Sequence, residues 1–298
     1  MKKDIKEYII KEGNKLGFPI VKFAKEEPLT NETRHLNHWL SLKYDANMTY
    51  MQRNLDKMES IKLLFKNAKT IILFAYPHIK NIVFNSKLKV GKYAIVSDYH
   101  KVIREKLNTI SESILNKFNV NSMCFVDSSS ILEKQWAVRS GVGWQGKNSL
   151  IINEILGSYF NIGVMIVDVE IEADNKIKNQ CGDCNLCIKS CPTGAIVLDK
   201  VIDCRRCITR FTNEKTDNIP EIIKIAMKKT GYIFGCDICQ DVCTFNRKFR
   251  KNKAINYDIL NKIEYMSEND FNKTFAESPI IRTGYKRILE HIKIVLSI

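Results

Sequence analysis

The cysteine-rich stretch CGDCNLCIKSCPTGAI, residues 181–196, decides how the second half of the chain folds. Cys181, Cys184 and Cys187 follow one another at two-residue gaps, and Cys191 comes after three more residues with a proline directly behind it. This is the spacing of bacterial two-cluster ferredoxins: three thiolates bind one [4Fe–4S] cluster, and the fourth cysteine binds the other cluster. The pattern therefore predicts a second cysteine run farther along the chain.

The second run is GCDICQDVC, residues 235–243, and it completes the exchange of ligands. By the ferredoxin pattern, one cluster takes the three closely spaced cysteines of the first run and the last cysteine of the second. The predicted ligands of this first cluster are Cys181, Cys184, Cys187 and Cys243. The predicted ligands of the other cluster are Cys191, Cys236 and Cys239.

The second cluster lacks one ligand, because Val242 stands where a complete run would place a cysteine. The missing thiolate must come from the CRRC segment, as either Cys204 or Cys207, and spacing alone does not choose between them. Zinc is the main rival, since tetrahedral sites built from four cysteines also use two-residue gaps. The proline-terminated run with its reciprocal partner favours two iron–sulfur clusters.

The remaining cysteine, Cys124, stands apart in the apolar run NSMCFVD, where a buried, inert thiol is expected. The N-terminus predicts an amphipathic helix and not a signal peptide, and no apolar run is long enough to span a membrane. We therefore expect a cytoplasmic protein, in which clustered cysteines hold metal more often than they form disulfides.

The charge suggests a polyanionic partner such as nucleic acid. The formal net charge is +14 and the sequence pI is about 9.2. The basic residues are mostly dispersed, however, and the chain is rich in Lys, Asn and Ile throughout, as AT-rich coding would produce. A denser run without acidic residues comprises Arg247, Lys248, Arg250, Lys251 and Lys253. Charge alone leaves nucleic-acid binding open.

Hydrophobic periodicity predicts a mixture of helices and strands before the first cysteine run. Helical patterns dominate the first sixty or so residues. The segments that follow are a strand at 69–77, a helix at 98–118, a strand at 121–127, a helix at 132–138, and a strand pair between 141–152 and 157–169. This mixture indicates an α/β or α+β domain.

We predict an α+β protein with three parts. Residues 1–170 form the α/β domain, residues 171–255 form a ferredoxin-like two-cluster domain, and residues 256–298 form a helical C-terminal segment. Because a ferredoxin-like module only delivers electrons, the first part should hold the group that receives them.

Residues 126–153 are the second informative stretch. Asp127 ends a predicted strand, where its side chain can project into a cleft, although an Asp there more often caps a turn. Three glycines near residue 143 imply tight turns or close approach to a ligand, but they match no nucleotide-binding loop. The D-x-H-x-x-G cobalamin motif also fails, because Ile103 stands at its glycine position. His100 is therefore predicted to face a helix surface or to pack structurally.

The combined motifs resemble the epoxyqueuosine reductase family. They are VDSS, LEK, AVRSGVGWQGKNSLIIN, the first cysteine run, RRCI and GYIFGCDICQDVC, together with YMQRN and SDYHKV upstream. The resemblance covers roughly residues 45–250. It implies a cobalamin-dependent enzyme with two [4Fe–4S] clusters that reduces the epoxide of epoxyqueuosine at the tRNA wobble position to a cyclopentene. Reductive dehalogenases are distant relatives with the same cofactors.

The resemblance assigns roles to particular residues. It makes Asp127 the proton donor and selects Cys207 as the missing cluster ligand, which leaves Cys204 without an assigned role. It implies that residues 1–170 are the cobalamin-binding catalytic domain. The implied cobalamin contacts are Arg53, Asp127, Gly146, Lys147, Asn148, Ile151, Ile162, Ile208 and Lys215. The implied partners are a tRNA anticodon loop and a low-potential electron donor, with no membrane, and the protein is expected to be a monomer.

Several positions depart from the family pattern. Ser130 replaces a proline, Gln145 replaces an apolar residue, and Thr244 and Phe245 replace Pro-Trp. Two more departures, at Ile95 and Val96, replace Trp-Gly, and the chain ends before the helical extension of longer members. None of them removes a cluster ligand or Asp127.

These departures leave room for a paralogue. The alternatives are a cobalamin-dependent reductase of a small molecule, such as a dehalogenase, a pure electron-transfer protein, and a zinc-bearing nucleic-acid-binding protein.

Overall fold

The computed structural model of the chain describes residues 2–78, 81–95, 97–127, 130–216, 218–251 and 255–297. The chain divides into two compact units, and each is described by itself. The first unit comprises Met1–Pro77 and His100–Asp183, and the second comprises His78–Tyr99 and Cys184–Ile298. Val96 and Lys253, which the sequence analysis named, lie outside the described residues.

Helices account for most of the regular structure. The α-helices of the described residues are α1 (Lys2–Lys15), α2 (Thr30–Ser41), α3 (Leu55–Glu59), α4 (Tyr99–Phe118), α5 (Glu133–Ser140), α6 (Leu186–Ser190), α7 (Ile208–Asn213), α8 (Glu221–Thr230), α9 (Ile238–Asp241), α10 (Thr244–Arg247), α11 (Glu268–Thr274) and α12 (Tyr285–Leu296). Short 3-10 helices occur at Thr49–Gln52, Ile61–Leu63, Lys92–Ala94, Cys204–Arg206, Lys248–Lys251, Asp258–Tyr265 and Pro279–Thr283.

The strands are short except for two. They are β1 (Ile20–Lys25), β2 (Thr70–Pro77), β3 (Ile82–Val83), β4 (Lys89–Val90), β5 (Ser122–Phe125), β6 (Trp144–Gln145), β7 (Ile151–Ile152), β8 (Phe160–Val167), β9 (Ile196–Leu198), β10 (Val201–Ile202), β11 (Tyr232–Phe234) and β12 (Ile255–Asn256).

The first unit is built on a four-stranded sheet in the order β1-β2-β8-β5. Every neighbouring pair in this sheet is antiparallel, with Ile72 of β2 opposite both Phe23 and Met165. The sequence left two fold classes open, α/β and α+β. Antiparallel pairing is the arrangement found in the α+β class. The mixed helix-and-strand fold class is therefore confirmed.

Helices cover both faces of this sheet. Leu73 of β2 packs in one core with Trp136 of α5, while its neighbour Phe74 packs against Phe18, which follows α1. On the same face as Phe74, a side chain at Gly163 of β8 would collide with α4. Successive residues of a strand point to opposite faces, so β2 and β8 are almost entirely buried.

Most of the predicted elements of the first unit are confirmed. The strand at 69–77, the helix at 98–118, the strand at 121–127 and the helix at 132–138 appear as β2, α4, β5 and α5. The helices predicted to dominate the first sixty residues appear as α1, α2 and α3, whereas β1, a short run that helix and strand patterns fit equally well, was not predicted.

The predicted strand pair between 141–152 and 157–169 was also wrong. Within 141–152, β6 pairs with β7 across a tight turn, with Gln145 opposite Ile151. The longer β8 instead pairs with β2 on one side and β5 on the other. The turn between β6 and β7 is so short that these two strands pair with each other. β8 is therefore free to pair within the four-stranded sheet.

The second unit has its own hydrophobic core. Ile233 of β11 and Val90 of β4 lie in this core beside Met227 of α8 and Ile292 of α12, all with 1% exposure or less. β4 and β11 pair in parallel, and β9 and β10 form an antiparallel hairpin. The C-terminal helix and the second cysteine run are therefore parts of one unit.

This division differs from the three predicted domains. Residues 78–99 join the second unit, because β4 pairs with β11 and Val90 and Ala94 enter its core. Leu260, Ile263 and Ile288, from the predicted C-terminal segment, pack in the same core. No helix among the described residues combines the length and apolar character needed to cross a membrane.

Candidate functional site

Asp127 lies two residues beyond the end of β5. Its backbone φ is +52° and its side chain is 58% exposed. A left-handed backbone costs a residue other than glycine about 1–2 kcal/mol, although Asp and Asn adopt it more readily than most. The surroundings must therefore hold Asp127 in this conformation.

His100 contacts the Asp127 side chain. The Nε2 atom of His100, in the first turn of α4, lies 3.3 Å from Oδ2 of Asp127, and the His100 side chain is only 16% exposed. The prediction for His100 was a helix surface or structural packing, and the largely buried ring fits packing, with the contact to Asp127 in addition. The chain runs out along α4 for about 30 Å and returns through residues 119–127, which include β5, so that Asp127 lies beside the start of the helix.

Glu133 contacts the Asp127 backbone. Its Oε1 accepts a hydrogen bond of 2.6 Å from the Asp127 amide, and Glu133 is the first residue of α5. Burial raises the pKa of Glu133 to about 8, and the nearby Asp127 carboxylate contributes to the rise. The Glu133 carboxyl therefore carries a proton at neutral pH. The sequence analysis missed this residue, although the LEK motif contains it.

The glycines after α5 allow the protein backbone to approach itself closely. Gly141 has φ +76°, and a Cβ there would lie 2.1 Å from the carbonyl oxygen of Asn175. A Cβ on Gly143 would lie 2.1 Å from the carbonyl oxygen of Ile152. The sequence predicted tight turns or close approach to a ligand: Gly141, left-handed at the end of α5, fits a tight turn, and the close approach seen at both glycines is to the protein's own backbone.

Gln145 replaces the usual apolar residue and makes a local polar network. Its Oε1 accepts a hydrogen bond from Nε2 of Gln135 at 3.4 Å, and its own Nε2 donates to Oγ of Ser149 at 3.1 Å. Gln145 therefore links α5 to the β6–β7 turn. Of the other departures, Ser130 is partly buried and Thr244 and Phe245 open α10.

Four cysteines of the second unit lie close together. Burial raises the pKa of Cys207, Cys236 and Cys239, and the neighbouring cysteine sulfurs raise all three further, with Cys191 acting on each of them. Cys207 is thus electrostatically coupled to the other three. Cys204 lies in the 3-10 turn that precedes it.

Backbone amides point at these sulfurs. The amide of Ala195 donates to Sγ of Cys191 at 3.2 Å. The amides of Thr209 and Arg210 donate to Cys207, and the amide of Ile238 donates to Cys236. Such bonds stabilise thiolates and tune the potential of a bound cluster.

Three of the cysteines predicted for the other cluster lie in or beside short helices. Cys184 lies two residues before α6, Cys187 is the second residue of α6, and Cys243 precedes α10. Cys181 belongs to the last residues of the first unit. No disulfide joins any of the ten cysteines, all of which lie in the described part of the chain. Among the described residues, no three His, Cys, Asp or Glu side chains converge as they would around a single metal ion.

Cys124 belongs to β5, opposite Met165 of β8, and is partly buried. Burial raises the pKa of its thiol to about 12, so the thiol stays protonated at neutral pH. This agrees with the expected inert thiol.

Comparison with known proteins gives matches along the whole chain. Residues 180–246 match the family model described as a 4Fe-4S double cluster binding domain, and residues 59–128 match that of epoxyqueuosine reductase QueG. The epoxyqueuosine reductase of Cyclobacterium marinum is 37% identical over 95% of this chain and 95% of its own length. This chain belongs to the epoxyqueuosine reductase family.

Solved structures of the family share the fold. Epoxyqueuosine reductase from Streptococcus thermophilus is 26% identical, with a TM-score of 0.89 over 99% of this chain and 81% of that chain. A crystal structure of epoxyqueuosine reductase with an epoxyqueuosine-modified tRNA-Tyr stem loop is 24% identical, with a TM-score of 0.84 over 100% and 82% of the two chains. The family resemblance read from the sequence motifs is therefore confirmed.

The residues that the epoxyqueuosine reductase motifs suggest as cobalamin contacts fall in both units. Arg53 is exposed, just after the 3-10 helix Thr49–Gln52. Ile151 is 4% exposed in the core of the first unit, and Ile162 packs against that core. In the second unit, Ile208 is 2% exposed and Lys215 is exposed.

The turn between β6 and β7 carries the remaining suggested contacts. The amide of Gly146 donates to the carbonyl of Leu150 at 2.8 Å, and Lys147 is partly buried. Asn148 is only 4% exposed, and its Oδ1 accepts from the Leu150 amide at 3.3 Å. The Asn148 side chain therefore stabilises the turn itself.

Asn161 is a polar residue that the sequence analysis missed. It precedes Ile162 in β8, and its Nδ2 is buried without a hydrogen-bond acceptor among the described residues. A buried amide donor without a partner costs about 1–3 kcal/mol. A bound group that offers an acceptor at this position would recover that cost.

Proposed function

We propose that this chain is an epoxyqueuosine reductase, which reduces epoxyqueuosine to queuosine at the wobble position of tRNA. The observation that carries the proposal is the setting of Asp127, held by His100 at its carboxylate and by Glu133 at its amide. Full-length similarity to epoxyqueuosine reductases supports it. The protein is then an oxidoreductase that works where tRNA is present, in the cytoplasm.

The two cysteine runs bind two [4Fe–4S] clusters in this proposal. One cluster takes Cys191, Cys207, Cys236 and Cys239, whose coupled sulfurs and amide hydrogen bonds support the assignment. The other takes Cys181, Cys184, Cys187 and Cys243 by the ferredoxin spacing. The amide donors suit thiolate ligands, so the residues present fit a cluster.

Cobalamin is the proposed acceptor of the electrons. The periphery of a corrin ring carries amide groups, and the orphaned Nδ2 of Asn161 is a suitable donor for one of them. The residues of the first unit that would hold the ring are Arg53, the backbone of residues 146–151, Asn161 and Ile162. When bound and reduced, cobalamin supplies a strongly reducing metal centre for opening the epoxide.

Asp127 supplies the proton in this mechanism. Opening an epoxide leaves negative charge on oxygen, and the oxygen can depart as water only if it is protonated. The Asp127 side chain is exposed and follows the end of β5, so an incoming substrate can reach it. His100 orients the carboxyl group at Oδ2, and general acid catalysis of this kind contributes about 10²–10⁴-fold.

The substrate base would reach Asp127 by leaving the anticodon stack, since loop bases can be splayed out for recognition. Dispersed lysines and arginines would contact the phosphates without reading sequence. The net charge of +14 suits this role.

The test is a reconstitution assay. Protein with both clusters and cobalamin, kept anaerobic and given a low-potential reductant, is incubated with epoxyqueuosine-containing tRNA, and nucleosides are identified by mass spectrometry. Conversion to queuosine is expected. No conversion by protein with about eight irons and bound cobalamin would contradict the proposal and indicate a paralogue with another substrate.

A further inference from the structure

The proposed reaction needs two protons, and a single carboxyl group such as that of Asp127 can pass only one at a time. Removing the oxygen of an epoxide as water breaks two C–O bonds, forms one carbon–carbon π bond and forms two O–H bonds. The balance therefore requires two electrons, from the low-potential donor, and two protons. After the first transfer the Asp127 carboxylate must be reprotonated before it can donate again. This requirement rests on the proposed function.

Glu133 lies where it can reprotonate the Asp127 carboxylate. Its Oε1 accepts a hydrogen bond of 2.6 Å from the Asp127 backbone amide, and the charge of the Asp127 carboxylate acts on the Glu133 carboxyl. The other carboxyl oxygen, Oε2, is then available to carry a proton. Glu133 is partly buried at the start of α5, whereas the Asp127 side chain is mostly exposed.

The charged groups around Glu133 act in opposite directions. Burial and the Asp127 carboxylate favour the protonated acid, while the Asp127 amide and the Lys134 ammonium favour the anion. The N-terminus of α5 also favours the anion. The outcome is a pKa of about 8, so Glu133 is protonated at neutral pH and loses its proton only slightly above it. His100 contacts Asp127 separately, at Oδ2.

We propose that Glu133 is the proton reservoir of the site and reprotonates Asp127 within each turnover. The proton leaves the Glu133 carboxylic acid for the Asp127 carboxylate, and Asp127 passes it to the departing oxygen. Water then returns a proton to Glu133. Glu133 acts only through Asp127 and is a positioning residue, since it also holds the Asp127 amide.

The carboxyl pair can be tested without turnover. Infrared spectra of the full-length, cluster-loaded protein across about pH 6 to about pH 9 should show a protonated-carboxyl band that titrates at about pH 8. The band should be absent in Glu133→Gln. It should titrate at lower pH in Asp127→Asn, because the neighbouring negative charge is removed. A titration that is unchanged in both variants would overturn the proposal.

Rates and pH profiles of turnover distinguish a proton-supplying role of Glu133 from a role in positioning Asp127 alone. Glu133→Gln keeps an Oε1 acceptor for the Asp127 amide but carries no transferable proton. We expect its rate to fall about 10- to 100-fold, with loss of the decline in wild-type activity above about pH 8. Glu133→Ala, which removes both functions, should be slower still. The exposed Glu112→Gln on α4 is the matched control and should keep the wild-type rate and pH profile.

Two results would contradict the inference. Glu133→Gln with the wild-type rate and an unchanged pH profile would mean that Glu133 only holds the amide. Loss of the alkaline decline in His100→Gln, but not in Glu133→Gln, would make His100 the second donor. If the wild-type protein reduces no epoxyqueuosine, the proposed function fails, while the infrared titration still tests the carboxyl pair.

Discussion

A single carboxylate is at the centre of the proposed chemistry, and its removal gives the first prediction. Asp127→Asn replaces the acid with an amide that cannot protonate the leaving oxygen. Asn also tolerates φ +52°, so the backbone should be undisturbed. We expect turnover to fall by about 10²–10⁴-fold. The measurement is the rate of queuosine formation, alongside absorption spectra of the clusters and cobalamin.

The control for this variant is Asp258→Asn, which removes one negative charge from an exposed residue of the second unit. It should keep the wild-type rate. Full activity in Asp127→Asn would remove Asp127 from the proton path. Loss of the clusters in Asp127→Asn would point to a structural role instead.

The choice between Cys204 and Cys207 gives a second prediction. Cys207 is coupled to Cys191, Cys236 and Cys239, so Cys207→Ser should lose one cluster. Its iron content should fall from about eight to about four atoms per chain, while Cys204→Ser keeps about eight. Iron analysis after anaerobic reconstitution measures both. The reverse pattern would make Cys204 the ligand.

At this scale the sequence predicted residues whose roles depend on local spacing. The cysteines of the two runs follow a local spacing that can be read directly, whereas Asp127 and Cys207 were assigned through the family resemblance. The contacts of Asp127 with His100 and Glu133 could not be read in this way. The His100 contact arises because the chain returns from the end of α4 to its start, which depends on tertiary geometry.

Arg139 of helix α5 binds residues 27–32, and its removal gives a prediction about the stability of this helix. Arg139 makes two hydrogen bonds to Glu32 of α2, at 3.2 and 3.0 Å, and also bonds the carbonyls of Glu27 and Pro28 at 3.0 Å each. Both charged side chains are at most 20% exposed. Arg139→Ala leaves these acceptors unpaired and should lower the free energy of unfolding by about 2 kcal/mol.

An exposed ion pair of the same unit is the control for Arg139. Lys25 and Glu27 lie 3.1 Å apart with side chains 72% and 58% exposed. Lys25→Ala should change the free energy of unfolding by less than about 0.5 kcal/mol. Denaturant titration measures both variants, and equal losses would show that the Arg139 contacts contribute nothing special. Because α5 carries Glu133, Arg139→Ala should also reduce turnover.

Helix α12 contains a buried histidine whose titration should be visible in stability. His291 is 0% exposed, and its Nδ1 lies 2.8 Å from the carbonyl of Ile233 in β11. Burial, with a smaller contribution from the nearby Arg287 charge, lowers the pKa of His291 from 6.5 to about 4. The native state therefore binds fewer protons than the unfolded state between these values. The contribution of His291 is complete above about pH 6.5 and is lost towards pH 4.

The loss across this window should be about 3 kcal/mol, since each unit of pKa shift is worth about 1.4 kcal/mol. Denaturant titrations of the wild type and His291→Gln at several pH values measure it. The wild type should lose stability more steeply between about pH 6.5 and about pH 4. Identical slopes in the two proteins would mean that His291 does not titrate in this range.

The sequence predicted elements with a clear period and missed those without one. The helix α4 and the strands β2 and β5 were found because each has a sustained apolar pattern. β1 was missed because a short apolar run fits helix and strand alike. The place of residues 78–99 in the second unit depends on the parallel pairing of β4 with β11, which joins segments far apart in the sequence.

Charge at the scale of the whole molecule gives the last prediction. The net charge of +14 has no use in a reaction on a small neutral substrate, whereas a tRNA substrate brings phosphates that release counterions on binding. We expect the logarithm of the tRNA affinity to fall linearly with the logarithm of salt concentration. Three neutralised phosphates would weaken binding about 20- to 40-fold between about 50 and 200 mM salt.

The dense basic run offers a localised version of this test. Arg247 and Lys248 are both exposed, at the junction of α10 and the following 3-10 helix. If they contact phosphates, the double variant Arg247→Ala, Lys248→Ala should reduce the salt slope by about 1–2, whereas Lys3→Ala, Lys11→Ala on exposed positions of α1 should leave it unchanged. Binding is measured by fluorescence anisotropy of a labelled stem loop.

A flat salt dependence in the wild type would contradict phosphate recognition and favour a small-molecule substrate. An equal effect of both double variants would mean that the charge acts through its total and not through a defined RNA-binding surface.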